Sequence, residues 1–216
     1  MIYLFRKPEQ GELIVIGADP SEGGDYSAWV ALSKKYIDVV MASQSKEESS
    51  QLGHSLNHIS KWFKKETDFY PCIAVERNVG MATIAILKEL NTPNLFRMPD
   101  SFVNEEKVEE GEKYGWVTTV TSRPKLLDDL SLALRQKSIK IPDERITSEL
   151  FTFVRNKRTG KPEADTGSHD DLVFALGIAL QVLQIGWEDE DTWQKKAEQA
   201  VEYFQKTDRH IKRRWY

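Results

Sequence analysis

Four carboxylates stand at the ends of apolar segments. Asp19 closes LIVIGAD, residues 13–19. Glu76 follows the apolar CIAV within CIAVER, residues 72–77. Asp170 and Asp171 stand at the mouth of the apolar run in SHDDLVFALGIAL, residues 168–180. Carboxylates brought close together repel, which raises their pKa values or demands a cation. A hard divalent ion with oxygen ligands meets that demand. Mg²⁺ takes one or two carboxylates, keeps several waters and completes its shell with substrate phosphate. Two such ions about 3.5–4 Å apart stabilise the attacking and leaving oxygens of an in-line phosphoryl displacement. The expected chemistry is therefore metal-assisted in-line phosphoryl displacement, one Mg²⁺ or Mn²⁺ ion activating water and a second stabilising the departing oxyanion.

Each acid also has a plainer role open to it. Asp170, or Ser168 before it, can cap a helix, where free N–H groups and the dipole stabilise a carboxylate by about 0.3–1 kcal/mol. Asp19 can form a turn, and Arg77 can pair with Glu76 locally. Gly23 and Gly24 in GADPSEGGD let a phosphate or metal approach the backbone closely. Asp25 reads as a turn or cap residue, and His169 as a local hydrogen-bonding or capping residue.

Segments 13–19 and 72–77 read as short buried strands that end in an acid. Segments 27–35 and 36–45 are rich in β-branched and aromatic residues and read as antiparallel strands joined near Lys34–Lys35. Leu52, Leu56, Ile59, Trp62 and Phe63 fall on one face of a helix over 46–66. A second helix is expected over 80–90, stopped by Asn91 and Pro93, and a strand over 94–99. Residues 100–122 are charged and aperiodic, which predicts an exposed loop or short hairpin. Residues 123–137 are amphipathic, with Pro124 suited to a first helical turn. Residues 148–165 predict a hairpin, and the apolar run after Asp171 a buried helix. A helix over 190–206 and a fraying basic tail complete the chain. This order is an α/β plan: a central mixed sheet flanked by helices, with an added hairpin. Sites in such sheets form outside strand ends, so neighbouring strands 13–19 and 72–77 would set Asp19 beside Glu76.

The chain has 216 residues, 40% hydrophobic, a net charge of −4 and one cysteine, Cys72. An internal disulfide is excluded, which fits a reducing cytoplasm. No run approaches the roughly 18 apolar residues that span a bilayer, and no signal-peptide core is present. The expectation is a soluble protein without membrane contact. A net acidic chain that binds nucleic acid needs a local basic patch. RNKRTGK, residues 155–161, supplies Arg155, Lys157, Arg158 and Lys161 without an acid. Phosphate contacts there would be salt-sensitive and carry little sequence information. The tail residues Arg209, Lys212, Arg213 and Arg214 form a second candidate patch.

GADPSEGGDYSAW, AVERN and FVRNKRTGKPEADTGSHDDLVFALGIAL together resemble the nuclease domain of the large terminase subunit of tailed bacteriophages, in motif order and spacing, over about residues 11–187. The resemblance implies an RNase H-like, RuvC-like fold over 1–187, with 188–216 as a C-terminal helix and basic tail. It implies cleavage of concatemeric double-stranded DNA during packaging, with low sequence specificity. By resemblance Asp19, Glu76 and Asp171 are the catalytic metal ligands and Asp170 an auxiliary one. Implied partners are duplex DNA, the terminase ATPase motor domain, the small terminase subunit and the portal, in the cytoplasm of a bacterial host. The phosphate-binding G-x-x-x-x-G-K-[ST] loop of that motor does not occur here, so the nuclease domain alone is expected, without ATP hydrolysis. The same acids would serve a RuvC-like junction resolvase or a ribonuclease H. A DNA-binding module without turnover is the reading from another class.

Overall fold

The computed structural model describes residues 1–21, 25–99, 114–155, 162–164 and 169–186. Five strands form one sheet in the order β1-β4-β3-β2-β5. They are β1 (Ile2–Leu4), β2 (Ile14–Asp19), β3 (Ser27–Ser33), β4 (Val39–Ser45) and β5 (Cys72–Val75). The pairs β2–β3, β3–β4 and β4–β1 are antiparallel, whereas β2 and β5 run parallel with Ala18 opposite Val75. The sheet is mixed, as the sequence predicts, and the two strands that end near acids are neighbours. β1 was not anticipated. Three exposed residues carry no periodic signal, and pairing with β4 alone makes them a strand.

Strand alternation divides β2 between two layers. Ile14, Ile16 and Ala18 pack into a core with Leu52, Leu56, Ile59 and Phe63 of α1 (Ser49–Thr67) and Ile84 and Leu87 of α2 (Arg77–Glu89). Trp62 lies at the edge of that cluster, partly buried. The opposite parity, Val15, Gly17 and Asp19, faces α5 (Asp171–Ile185). Every α5 residue from Leu172 to Val182 is buried, as expected of a helix apolar on all sides. A Cβ on Gly17 would lie 2.1 Å from the Ala175 carbonyl oxygen and 2.6 Å from the Ala179 nitrogen. Glycine there lets the helix backbone rest directly on the strand. α3 (Ser122–Arg135) packs on α5 from another side, where Gly177 admits the Leu126 side chain. The one polar side chain in the buried stretch, Gln181, donates to Asp129 of α3 at 2.7 Å.

Three expectations are corrected. Residues 148–152 belong to a helix, α4 (Glu144–Thr152), and not to the hairpin. Asp143 starts it by accepting from the Arg145 N–H at 2.9 Å. The hairpin itself is shorter: β6 (Phe153–Arg155) pairs antiparallel with β7 (Pro162–Ala164). Residues 94–99 make bridges and no continuous strand, with Leu95 beside Ile73. Trp116, expected in an exposed segment, is fully buried, and its N–H donates to the Val75 carbonyl at 2.7 Å. Met1–Ile185 forms one compact unit. The helix expected over 190–206 and the basic tail lie outside the described residues. Among the described residues no helix is long and apolar enough to cross a membrane.

Candidate active site

Three elements deliver the acids to one end of the sheet. Asp19 is the last residue of β2 and, by parity, lies on the α5 face. The parallel register continues past β5, where the Glu76 N–H donates to the Ala18 carbonyl at 2.8 Å. Glu76 thus stands beside Asp19, one residue beyond its strand. It is buried, and its Oε2 accepts from the Val79 N–H at 3.0 Å, which makes it the N-cap of α2. Helix α2 begins at Arg77, three residues before the expected start. The Asp170 carbonyl accepts from the Phe174 N–H at 2.9 Å, so Asp170 occupies the cap position and Asp171 the first turn of α5.

These acids feel one another. Burial pushes the Asp19 carboxyl well above the usual carboxylate range, and the charges of Asp171, Glu76 and Asp170 push it further, with Arg123 opposing. Burial raises Asp171 to about 6, reinforced by Asp25 and Asp170 and opposed by a hydrogen bond from Gln44 and by His169. Asp170 is raised too, mainly by burial and against the pull of Arg123. The Arg123 Nη2 lies 3.5 Å from Asp170 Oδ2, and its guanidinium sits 4.1 Å from the Phe174 ring centroid. His169 Nδ1 lies 3.6 Å from Asp25 Oδ1 and 3.7 Å from Asp171 Oδ2, with its ring edge-on to Tyr26. Asp25, expected to serve only as a turn or cap, therefore also belongs to the electrostatics of the site.

Among the described residues no three His, Cys, Asp or Glu side chains already converge as a finished metal-binding group. The carboxylates turn toward protein donors instead: Glu76 to the Val79 N–H, Asp171 to Gln44, Asp170 toward Arg123. The donor set still suits a hard divalent cation. It is all oxygen, it comes from strand ends and helix starts, and its surplus negative charge is what such an ion relieves.

The sequence reading missed Glu149 and Gln44. Glu149 projects from α4, is buried, and is raised to about 7, chiefly by burial. Its Oε2 accepts from the Val173 N–H of α5 at 3.0 Å. The Gln44 Nε2 at the end of β4 donates to Glu149 Oε1 at 3.0 Å and to Asp171 Oδ2 at 3.3 Å. The signal that could have found α4 is Pro142-Asp143-Glu144, a helix-start pattern. A cleft of about 470 Å³ runs along this side, lined by Gln44, Arg145, Glu149 and His169 among others. Lys157, Arg158 and Lys161, the side chain of Arg155, and the glycines Gly23 and Gly24 lie outside the described residues.

A mixed sheet with flanking helices, and acids at adjacent parallel strand ends and at the head of a buried helix, defines the RNase H-like fold. Within it, the chain has the fold of large terminase nuclease domains. The large terminase nuclease of the thermophilic phage G20c superposes with a TM-score of 0.62 at 17% identity, over 83% of this chain and 87% of that one. The Thermus phage P74-26 large terminase nuclease domain gives 0.59 at 19% identity, over 84% and 85%. A manganese-soaked human cytomegalovirus terminase nuclease domain gives 0.54 at 11% identity, over 80% and 83%. The G20c nuclease has also been solved with bound cobalt, magnesium and zinc. No protein-family model matches the sequence, and no curated protein matches it.

Proposed function

We propose that this chain is a divalent-metal-dependent nuclease that hydrolyses phosphodiester bonds of double-stranded DNA, and that it is the nuclease module of a viral genome-packaging terminase. One observation carries the reading: Asp19 ends β2 beside Glu76, whose N–H donates to the Ala18 carbonyl at 2.8 Å, and feels the charges of Glu76, Asp170 and Asp171, with Arg123 opposing. The fold shared with viral terminase nucleases supports it. In this reading Asp19, Glu76 and Asp171 hold the metal and are the catalytic set, with Asp170 as auxiliary ligand. Bound Mg²⁺ or Mn²⁺, a pair in this reading, would neutralise charge at the scissile phosphate and acidify the attacking water.

The chain's own part is to present these oxygens on elements that do not move. β2 and α5 touch backbone to backbone at Gly17, so the Asp19 and Asp171 carriers form one rigid unit. Protonated acids must release their protons as the cation binds, which makes binding favour higher pH. Arg155, Lys157, Arg158 and Lys161 grip the phosphate backbone without reading bases. The motor domain, small subunit and portal are the partners of this reading, and the host cytoplasm its setting.

The test is plasmid cleavage with no metal, with Mg²⁺ and with Mn²⁺, beside Asp19→Asn and Asp171→Asn. Metal-dependent linearisation that disappears in both variants is the expected result. DNA retention without cleavage in any condition would replace the nuclease with a binding module. Cutting of four-way junctions or RNA–DNA hybrids in preference to linear duplex would move the substrate to those classes. Arg158→Ala with Lys161→Ala should weaken DNA binding equally across sequences and reduce its salt dependence.

A further inference from the structure

We infer that Gln44 and Glu149 are positioning residues: the Glu149 carboxylate orients the Gln44 carboxamide so that its nitrogen holds one oxygen of Asp171. The inference rests on the nuclease reading above and concerns how that site is aimed. Gln44 Nε2 has two hydrogens, and two carboxylates take them: Glu149 Oε1 at 3.0 Å and Asp171 Oδ2 at 3.3 Å. A carboxamide has a donor end and an acceptor end. Both carboxylate oxygens that meet Gln44 accept from its nitrogen, so the donor end faces both. Glu149 itself cannot turn away, because its other oxygen accepts from the Val173 N–H at 3.0 Å and its side chain is buried between α4 and α5. The order of constraint therefore runs from the α5 backbone through Glu149 and Gln44 to Asp171. The hydrogen bond to Oδ2 fixes the plane of the Asp171 carboxylate and with it the direction of Oδ1. Three elements, β4, α4 and α5, are tied together at this point.

A plain structural role predicts something different, and the difference can be measured. If Glu149 only capped α5, Glu149→Gln would be harmless, since an amide oxygen also accepts from Val173. If Glu149 sets the polarity of Gln44, the same change puts a second donor against Gln44 Nε2. Gln44 then flips and turns its oxygen toward Asp171. Partners that orient a metal ligand typically contribute about 10–100-fold in metal affinity or activity. Mn²⁺ binding to the full chain, followed by electron paramagnetic resonance of the free ion, should therefore weaken about tenfold or more in Glu149→Gln and in Gln44→Leu. The double variant should lose little beyond either single one, because the two residues act as a unit. Thermal unfolding without metal reports separately on the fold. Wild type that binds Mn²⁺ and cuts DNA, with Glu149→Gln binding equally well, would overturn this inference alone. Wild type that neither binds Mn²⁺ nor cuts DNA would overturn the nuclease reading and this inference together.

Discussion

Two groups of buried and half-buried acids occupy opposite ends of the same sheet, and the chain treats them differently. At the end where β2 and β4 begin, Glu12 and Asp38 share Arg6. Its Nε and Nη2 lie 2.7 and 2.8 Å from the two Asp38 oxygens, its Nη1 lies 3.0 Å from Glu12 Oε2, and its Nη2 also binds Glu12 Oε1. Burial pushes Glu12 up, yet the hydrogen bonds from Arg6, Ser33 and the Glu9 N–H, with the charge of Arg6, bring it below its ordinary value. Arg6 itself is raised, mainly by its hydrogen bonds to Asp38 and Glu12. At the end where β2 stops, Asp19, Asp170 and Asp171 are all raised; Arg123, 38% exposed, opposes this at Asp19 and Asp170, and His169 at Asp170 and Asp171. A planar guanidinium fork closes the first group from within. The second has no such fork among the described residues, and its acids stay raised.

The comparison can be broken most severely by Arg6→Ala. Removing one partner of a fully buried pair costs about 3–5 kcal/mol; with the Arg6 side chain 26% exposed the loss should lie at the low end, and Tm should fall by roughly 6 °C while cleavage per folded molecule stays unchanged. Asp19→Asn should do the reverse. Cleavage should fall more than about a hundredfold, beyond the usual loss for a supporting residue, while Tm without metal rises by about 2–4 °C as an uncompensated charge is removed. Next comes pH. Folded-state values of about 6 for Asp171 and about 7 for Glu149 lie above the ordinary carboxylate values, so the folded chain binds more protons than the unfolded one. Their stabilising contribution is complete below about pH 4 and is lost as pH rises through about 7. Melting in a chelator should therefore be higher at pH 5 than at pH 8, and half-saturating Mn²⁺ should increase as pH drops below about 6. Glu12 has the opposite sign: its contribution fails only as pH falls below the ordinary glutamate value. The smallest effect belongs to Lys35→Ala, which breaks an exposed pair with Glu9 at 2.7 Å and should leave Tm unchanged.

The positions of Asp19 and Glu76 were legible because each follows a short apolar strand, and their adjacency follows from the parallel pair β2–β5. Helix α5 announced itself by being apolar on every side. Glu149 was hidden because LFTFV has strand-like composition, so β-propensity outweighed the cap that starts α4. Gln44 could not be singled out, since a glutamine at a strand end gains meaning only from what stands opposite. The Arg6 group joins positions 6, 12 and 38, a combination that no local pattern encodes.

From Leu172 to Val182 helix α5 has no wet side, so its rotational setting is an indexed quantity. The flat place at Gly17 receives Ala175 and Ala179, and Leu126 fills the recess at Gly177 on another side. That keyed seat lies about 6 Å along the axis from Asp171, at four residues and 1.5 Å each. One residue inserted between them would turn the helix head by about 100° relative to its seat. The acids would swing off the end of β2, and apolar side chains would take their place. The aim of the charged head is thus machined into the uncharged shaft behind it, where the sequence contains no polar clue to its function.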